Sequence, residues 1–338
     1  MSASGSSSGG LRVVLAGATG ALGKEVRDAL EPSGLPISEL LAVATDASIG
    51  AEMDFRGDPV FVESELPSLH GVDLLILCTP SAISLDLIRE ALRAEVPCID
   101  CSGALAQSGE IPLVMVDRSP SAEITAPVVE TPSGVVLGWT RVLGAISESA
   151  GLERVVGTVM QPATSAGLRG IEVLSSETIA LLSRSETPES DLFSAPVAFD
   201  CLPWTGDGQT GEEGDTDFEA ALRRDVQRML GSEIELAVTS VQVPTFIGEG
   251  SALAIQTARP LSVEDARGVL EKATGVDLWE QDRAPSTRDT AGQDRVLVGR
   301  VRRDPSCERG LLLWLATDGL RLVASEVVGI VETRLRVN

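Results

Sequence analysis

Three groups of residues in this chain have types and spacings that chemistry could use. Gly17, Gly20 and Gly23 form a G-x-x-G-x-x-G run between an aliphatic segment, Leu11 to Ala16, and a helical pattern from Ala21 to Leu30. Glycines so spaced permit a tight turn and let a pyrophosphate approach the start of the following helix, where free N–H groups and the dipole favour anions. Ser133 stands at a second strand-to-helix bend, in APVVETPSGVVLGWTRVL (126–143). The same dipole there would activate a nucleophile, although serine is equally a preferred helix cap. Cys98 and Cys101 make a C-x-x-C. With no helix starting behind the first cysteine and no second ligand pair, the spacing predicts buried structural thiols and no metal site.

What is scarce narrows the chemistry further. His70 is the single histidine, in a loop before an apolar strand, and there is no tyrosine. General acid–base catalysis by imidazole or phenol is therefore nearly excluded. With 50 Asp and Glu against 27 Lys and Arg, the net charge of −23 repels nucleic acid and anionic membranes, so neither is expected as a partner. No apolar run approaches the ~20 residues that span a bilayer. MSASGSSSGG at the start lacks the basic and apolar regions of a signal peptide, which predicts a disordered tail over 1–10 and a cytoplasmic protein. Five cysteines, an odd number, fit reduced thiols better than a disulfide framework.

These residues need a scaffold, and the pattern supplies one. ELLAVAT, VDLLILCTPS, VPCIDCSG, IPLVMV and APVVE read as strands, and AISLDLIREALRA as an amphipathic helix. Strands alternating with helices predict an α/β fold, a Rossmann-type doubly wound parallel sheet. Ligands in such sheets lie at the carboxyl ends of strands, which nominates Gly17, Thr19, Gly20, Ala21, Leu22, Ser48, Thr79, Pro80 and Ser81 as cofactor-binding residues. Beyond Ser133 the strands are longer and partly alternating: ERVVGTVMQPAT, APVAFDCLP, EIELAVTSVQVPTF, SALAIQTARPLS, RVLVGRVRRD and GLLLWLATDG. Helices are predicted over Gly170–Ser183, Asp217–Leu230 and Val263–Thr274. That is an α+β second domain, a mixed or antiparallel sheet with helices on one face. WTGDGQTGEEGDTD (204–217) reads as a loop rich in glycine and acid. The expected domains are 11–132, completed by a C-terminal helix over 320–338, and 133–319.

Ordered segments along the chain carry a resemblance. AGATGALG, TPSAIS, DCSGAL, QPATSAGLRGIEVL, FDCLPW, SVQVPTFIGEGSA, AGQDRVLVGRVRRD and LLLWLATDGLRLVASEVVGIVE resemble segments of the aspartate-semialdehyde dehydrogenase family, from about Arg12 to the C-terminus. The resemblance implies a nucleotide-binding domain, a dehydrogenase-type second domain that builds a homodimer, and a last helix that folds back onto the first domain. It also implies a reaction: the phosphate-requiring, NADP-dependent interconversion of aspartyl phosphate and aspartate semialdehyde. In that reaction a cysteine thiolate forms a thioester, a histidine moves protons, and arginines hold phosphate and substrate carboxylate. A thiolate suits the task because it is strongly nucleophilic near neutral pH and leaves readily.

Residue by residue, the resemblance implies that the scaffold is kept and the machinery lost. The nucleophile position holds Ser133 and the histidine position Glu249. A substrate arginine falls at Gln242, and the glutamine that orients the acyl intermediate is retained as Gln161. A phosphate arginine is replaced around Ala106 and a lysine at Ala221, while Arg302 and Arg303 remain. At the cofactor, the arginine that reads the 2′-phosphate falls at Ala47, with Asp46 beside it, and the asparagine that touches the nicotinamide amide falls at Val327. NADP or NAD is the cofactor expected. Three readings follow: a homologue without the family reaction, its vestigial site at Ser133, Gln161, Gln242 and Glu249; an NAD(P)-dependent oxidoreductase on a different substrate; or an interaction partner of an active homologue.

Overall fold

A computed structural model of the chain describes residues 10–106, 109–203 and 214–337. The tail read at 1–10 lies outside these residues except for Gly10, as does the loop read at 204–217 except for its last residues. Two compact units divide the chain, Met1–Pro132 with Val323–Asn338, and Ser133–Leu322.

In the first unit β1 (Leu11–Ala16), α1 (Ala21–Leu30), β2 (Ile37–Val43), β3 (Glu52–Phe55), β4 (Asp58–Glu63), β5 (Leu74–Leu77), α2 (Ser81–Arg93), β6 (Cys98–Asp100), α3 (Ser121–Ile124) and β7 (Val128–Glu130) follow in order. The sheet runs β3-β4-β2-β1-β5-β6-β7 and is parallel apart from the β3–β4 hairpin. All four residues of β5 and the last four of β1 are buried, which is why these strands are continuous aliphatic runs without alternation. The chain moves from β1 to β2 on one side and later to β5 on the other. That reversal sets the topological switch point beside the glycine turn after β1.

The second unit holds α4 (Gly134–Ala150), β8 (Leu152–Gln161), α5 (Gly167–Ser183), α6 (Asp217–Leu230), β9 (Glu235–Gln242), β10 (Glu249–Thr257), α7 (Val263–Glu271), β11 (Val276–Leu278), β12 (Val296–Arg303) and β13 (Gly310–Thr317). Its sheet runs β11-β12-β13-β10-β8-β9 and is mixed: β11–β12 and β8–β9 are parallel, the other pairs antiparallel. α4 is apolar nearly all round and lies against β8, β10, β12 and β13, between α6 and α7. Its Trp139 is fully buried, and the indole N–H donates to Ser251 Oγ at 2.9 Å, which satisfies the one polar atom of that ring.

α8 (Gly319–Val337) begins in the second unit and belongs to the first from Val323 onward. There Ala324, Val327, Ile330 and Val331 join the core of β1 and α1. Two polar ties fix its register: Glu326 accepts the Val116 N–H, and buried Arg334 donates to the carbonyls of Ile124 (3.0 Å) and Ala126 (2.7 Å). Among the described residues no helix is long and apolar enough to cross a membrane.

Several segments differ from the sequence reading. IPLVMV is not a strand; it touches β7 by a single bridge, Leu113 to Glu130, before Ser119 Oγ takes the Met115 N–H and the chain turns. APVAFDCLP is not one either. The Glu177 carboxylate accepts the N–H groups of Val197 and Ala198 (2.8 and 2.9 Å), and Phe199 adopts φ 62°, so the segment bends and leaves only the Leu202–Gln242 bridge. α5 starts three residues before Gly170, and α7 stops at Glu271, short of Thr274. The β3–β4 hairpin is an element that the sequence reading missed. It turns through Arg56 and Gly57, both at positive φ as a two-residue primed turn requires.

Arg56 ties that hairpin to α1. Its guanidinium donates to the carbonyls of Leu30 (3.1 Å), Glu31 (3.0 Å) and Leu35 (2.9 Å), and its own N–H donates to Glu31 Oε1 (3.0 Å). Carbonyls at a helix C-terminus lack partners within the helix, so a cation that meets several at once stabilises both elements. Arg56→Ala is expected to cost about 1–3 kcal/mol in urea unfolding. Arg89→Ala, which removes only an exposed pair with Asp86, should cost well under about 1 kcal/mol. Equal losses would show that the Arg56 bonds contribute nothing beyond a surface charge.

Candidate functional site

The glycine turn follows β1 and is fixed by its neighbours. The N–H groups of Gly17 and Ala18 both donate to Val43 O at the end of β2 (2.8 and 3.1 Å). At φ 81°, a side chain on Gly17 would lie 2.3 Å from Cys78 O at the end of β5, and one on Gly23 would lie 2.1 Å from Gly17 O. Glycine is therefore required for the turn to sit between β2 and β5 with α1 packed behind it. Gly20 caps α1 without any side-chain bond, leaving the first-turn N–H groups, Ala21 and Leu22 among them, uncapped by protein.

The other cofactor candidates gather at the same edge. Thr19 Oγ1 and Ser48 Oγ share a hydrogen bond of 3.1 Å. Thr79 Oγ1 and Ser84 Oγ share one of 2.8 Å, and Ser81 Oγ donates to Ser102 O at 2.9 Å. Pro80 caps α2. β2, β1 and β5 are adjacent and parallel, so all nine predicted residues stand at carboxyl ends of neighbouring strands. An uncapped helix start beside a side-chain-free turn fits a dinucleotide pyrophosphate, and Gly17, Gly20, Ala21 and Leu22 would hold it. The group's nicotinamide supplies the hydride chemistry when bound.

In the second unit Ser133 caps α4, its Oγ accepting the Val136 N–H at 3.4 Å. Gln161 and Gln242 end the parallel pair β8 and β9 in direct register, and both are buried. Gln242 Nε2 donates to Gln161 O (2.8 Å) while its Oε1 accepts from Ser165 Oγ (3.3 Å), so this amide is committed to the scaffold. Gln161 Nε2 is buried and has no hydrogen-bond acceptor among the described residues.

Glu249 opens β10 opposite Thr317 of β13, whose hydroxyl donates to Oε2 at 3.3 Å. The carboxylate lies against Gly319, where a side chain would come within 2.6 Å of Oε2. Gly319 in turn packs on Gly134, where an added side-chain carbon would lie 2.1 Å from the Gly319 Cα. The starts of α4 and α8 thus meet at two glycines, with Glu249 beside them. Asp318 caps α8 by accepting the Arg321 N–H (3.2 Å) and also accepts the Gly292 N–H (2.9 Å). Burial raises the Glu249 pKa to about 7. The Thr317 hydroxyl pulls it down, and the Asp318 charge pushes it up. Thr317, Asp318 and Gly319 were not singled out from the sequence, although the T-D-G before an apolar helix is a capping signal.

The remaining candidates are placed elsewhere. Arg302 and Arg303 pair with Leu312 and Leu311, at the far end of β13 from Thr317. Ala106 and Val327 are buried in the first unit. His70 sits in the turn before β5, its N–H on Ser68 Oγ. Cys98 is buried within β6, and burial pushes its thiol pKa up. The Cys101 thiol hydrogen-bonds Cys78 across β5 and β6, which holds the Cys78 thiol protonated together with burial. Of the C-x-x-C, Cys98 is buried as expected, whereas Cys101, past the end of β6, is only half-buried. Among the described residues no His, Cys, Asp and Glu cluster could hold a metal.

The protonation of Glu249 has a consequence for stability. In the unfolded chain it would lose its proton near 4.5, in the fold near 7. Between those values the fold binds the extra proton, so stability falls as pH rises through the window. Glu249→Gln should match the parent near pH 4 and exceed it at pH 8 by roughly 1–3 kcal/mol. Parallel melting-temperature profiles for the two proteins would show that Glu249 is charged in the fold throughout.

Comparison with known proteins agrees with this geometry. Residues 12–124 match the NAD binding domain of semialdehyde dehydrogenases and 143–322 their dimerisation domain. Aspartate-semialdehyde dehydrogenase 2 of Vibrio cholerae is 30% identical over 96% of this chain and 97% of its own. A USG-1 protein homolog of Azotobacter vinelandii is 30% identical over 91% and 93%. The crystal structure of aspartate semialdehyde dehydrogenase II from V. cholerae, complexed with ASA, superposes with a TM-score of 0.92, covering 97% of this chain and 99% of that one. On its two domains and its full-length likeness, the chain belongs to the aspartate-semialdehyde dehydrogenase family.

Proposed function

We propose that this protein binds a nicotinamide dinucleotide at the glycine turn, forms a homodimer through its second unit, and lacks the phosphorylating dehydrogenase reaction of its family. The observation that carries this reading is the occupant of the bend at residue 133. A hydroxyl needs an adjacent base to attack a carbonyl, whereas a thiolate does not. Ser133 Oγ instead serves α4 as its cap. The two neighbouring positions are equally unsuited. Gln242 is neutral and bonded into the end of β8, so it offers no charge to a substrate carboxylate. Glu249 puts a carboxyl where the family's imidazole would move protons.

A second reading, an oxidoreductase acting on a different substrate by direct hydride transfer, is favoured by one feature. A carboxyl with a pKa of about 7 is matched to proton transfer near neutral pH. Such an enzyme would turn over its alcohol or aldehyde with a pH profile breaking near 7, and Glu249→Gln would abolish it.

The decisive assay follows reduced nicotinamide with aspartate semialdehyde, phosphate and either dinucleotide. No phosphate-dependent reduction is expected from the parent, from Ser133→Ala or from Ser133→Cys, since the single cysteine still lacks its arginine and histidine. Phosphate-dependent reduction by the parent that Ser133→Ala removes would overturn the proposal.

A further inference from the structure

Asp46 lies where a dinucleotide-binding sheet reads the adenosine ribose. In such sheets an acidic residue past the end of the second strand, some 20 residues beyond the glycine turn, accepts a hydrogen bond from the ribose 2′-hydroxyl. Asp46 follows β2 and opens a single 3-10 turn, Asp46–Ser48. That turn is anchored on two sides. Ser48 Oγ bonds Thr19 Oγ1 of the glycine turn at 3.1 Å, and the glycine turn itself bonds the end of β2 through Val43 O. On the other side Ala44 N–H donates to Glu63 O (2.9 Å) and Gly50 N–H to Val62 O (2.9 Å), both at the end of β4. The position of Asp46 relative to the glycine turn is thus set by structure on both flanks.

Its carboxylate is exposed and has no hydrogen bond or ion pair to any described residue. No lysine or arginine occurs from Asp28 to Phe55. The first basic residue after that span, Arg56, has its guanidinium spent on the carbonyls of Leu30, Glu31 and Leu35. A 2′-phosphate brought here would meet a carboxylate without a cation from this segment, whereas a 2′-hydroxyl would find a free acceptor.

We propose that Asp46 selects NAD over NADP, accepting a hydrogen bond from the ribose 2′-hydroxyl and repelling a 2′-phosphate. This rests on the dinucleotide reading above, and the test separates the two.

Calorimetric titration of the full chain with NAD+, NADP+ and ADP-ribose is the experiment. NAD+ and ADP-ribose should bind at least about tenfold tighter than NADP+. Repulsion between exposed charges is screened, so part of that preference should fade as salt is raised. Asp46→Asn should narrow the ratio severalfold, and Asp46→Arg should reverse it. NADP+ binding as tightly as NAD+ in the parent would overturn the assignment and leave the dinucleotide reading intact. So would a ratio that Asp46→Asn does not change. No binding of any of the three probes would overturn both.

Discussion

Each unit carries a place where the main chain approaches itself too closely for a side chain and a candidate site beside it. Gly17 lies against the Cys78 carbonyl with Gly23 behind it. That contact brings the end of β1 and the start of α1 to the switch point of the parallel sheet. In the second unit Gly134 lies against Gly319, bringing together the starts of α4 and α8. Ser133 caps α4 beside this second contact, and the Glu249 carboxylate lies against Gly319. Steric exclusion of this kind is short-ranged and unforgiving, since packed interiors accommodate even one added carbon poorly. The chemistry of each site is free to change while the backbone frame that carries it is not.

The electrostatics of the second unit show what such a frame does to a substituted residue. Glu249 owes its place to strand register opposite Thr317, and its carboxylate is pressed against Gly319 in surroundings that disfavour charge. Helix starts attract anions, yet Asp318 already occupies the cap of α8 and repels a second carboxylate. The outcome is a carboxyl that holds its proton to about neutral pH, beside a buried Gln161 amide with no acceptor.

Local signals were read well from the sequence and long-range ones were not. The βαβ order and the glycine turn follow from hydrophobic runs and spacing, and α6 has the predicted bounds because Thr216 and Glu219 form a capping box at its start. IPLVMV and APVAFDCLP failed because aliphatic content marks burial, and burial alone does not make a ladder. Side chains outside the runs, Ser119 four residues on and Glu177 some twenty residues back, took N–H groups that a strand would have used. The hairpin at Arg56–Gly57 escaped because its strands are short and Arg56, the first residue of its turn, is not one of the usual turn formers. Nothing local could pair Glu249 with Thr317, 68 positions away. At the site, Ser133 as a cap was legible, and the commitment of Gln242 to Gln161 O was not.

The glycine turn of the first unit and the Ser133 region of the second would recognise a ligand in different ways. A pyrophosphate is held by backbone N–H groups at a helix start, which every non-proline sequence possesses; only the glycines that clear the space are constrained. Acyl transfer through a thioester depends on side chains, a thiolate, a base and cations, each of which one substitution removes. A backbone site of the first kind therefore tolerates substitutions that a side-chain site of the second kind does not. Between these extremes stands Asp46, a single side chain on a backbone-defined site. One residue there suffices to change which dinucleotide fits without disturbing the turn that holds it.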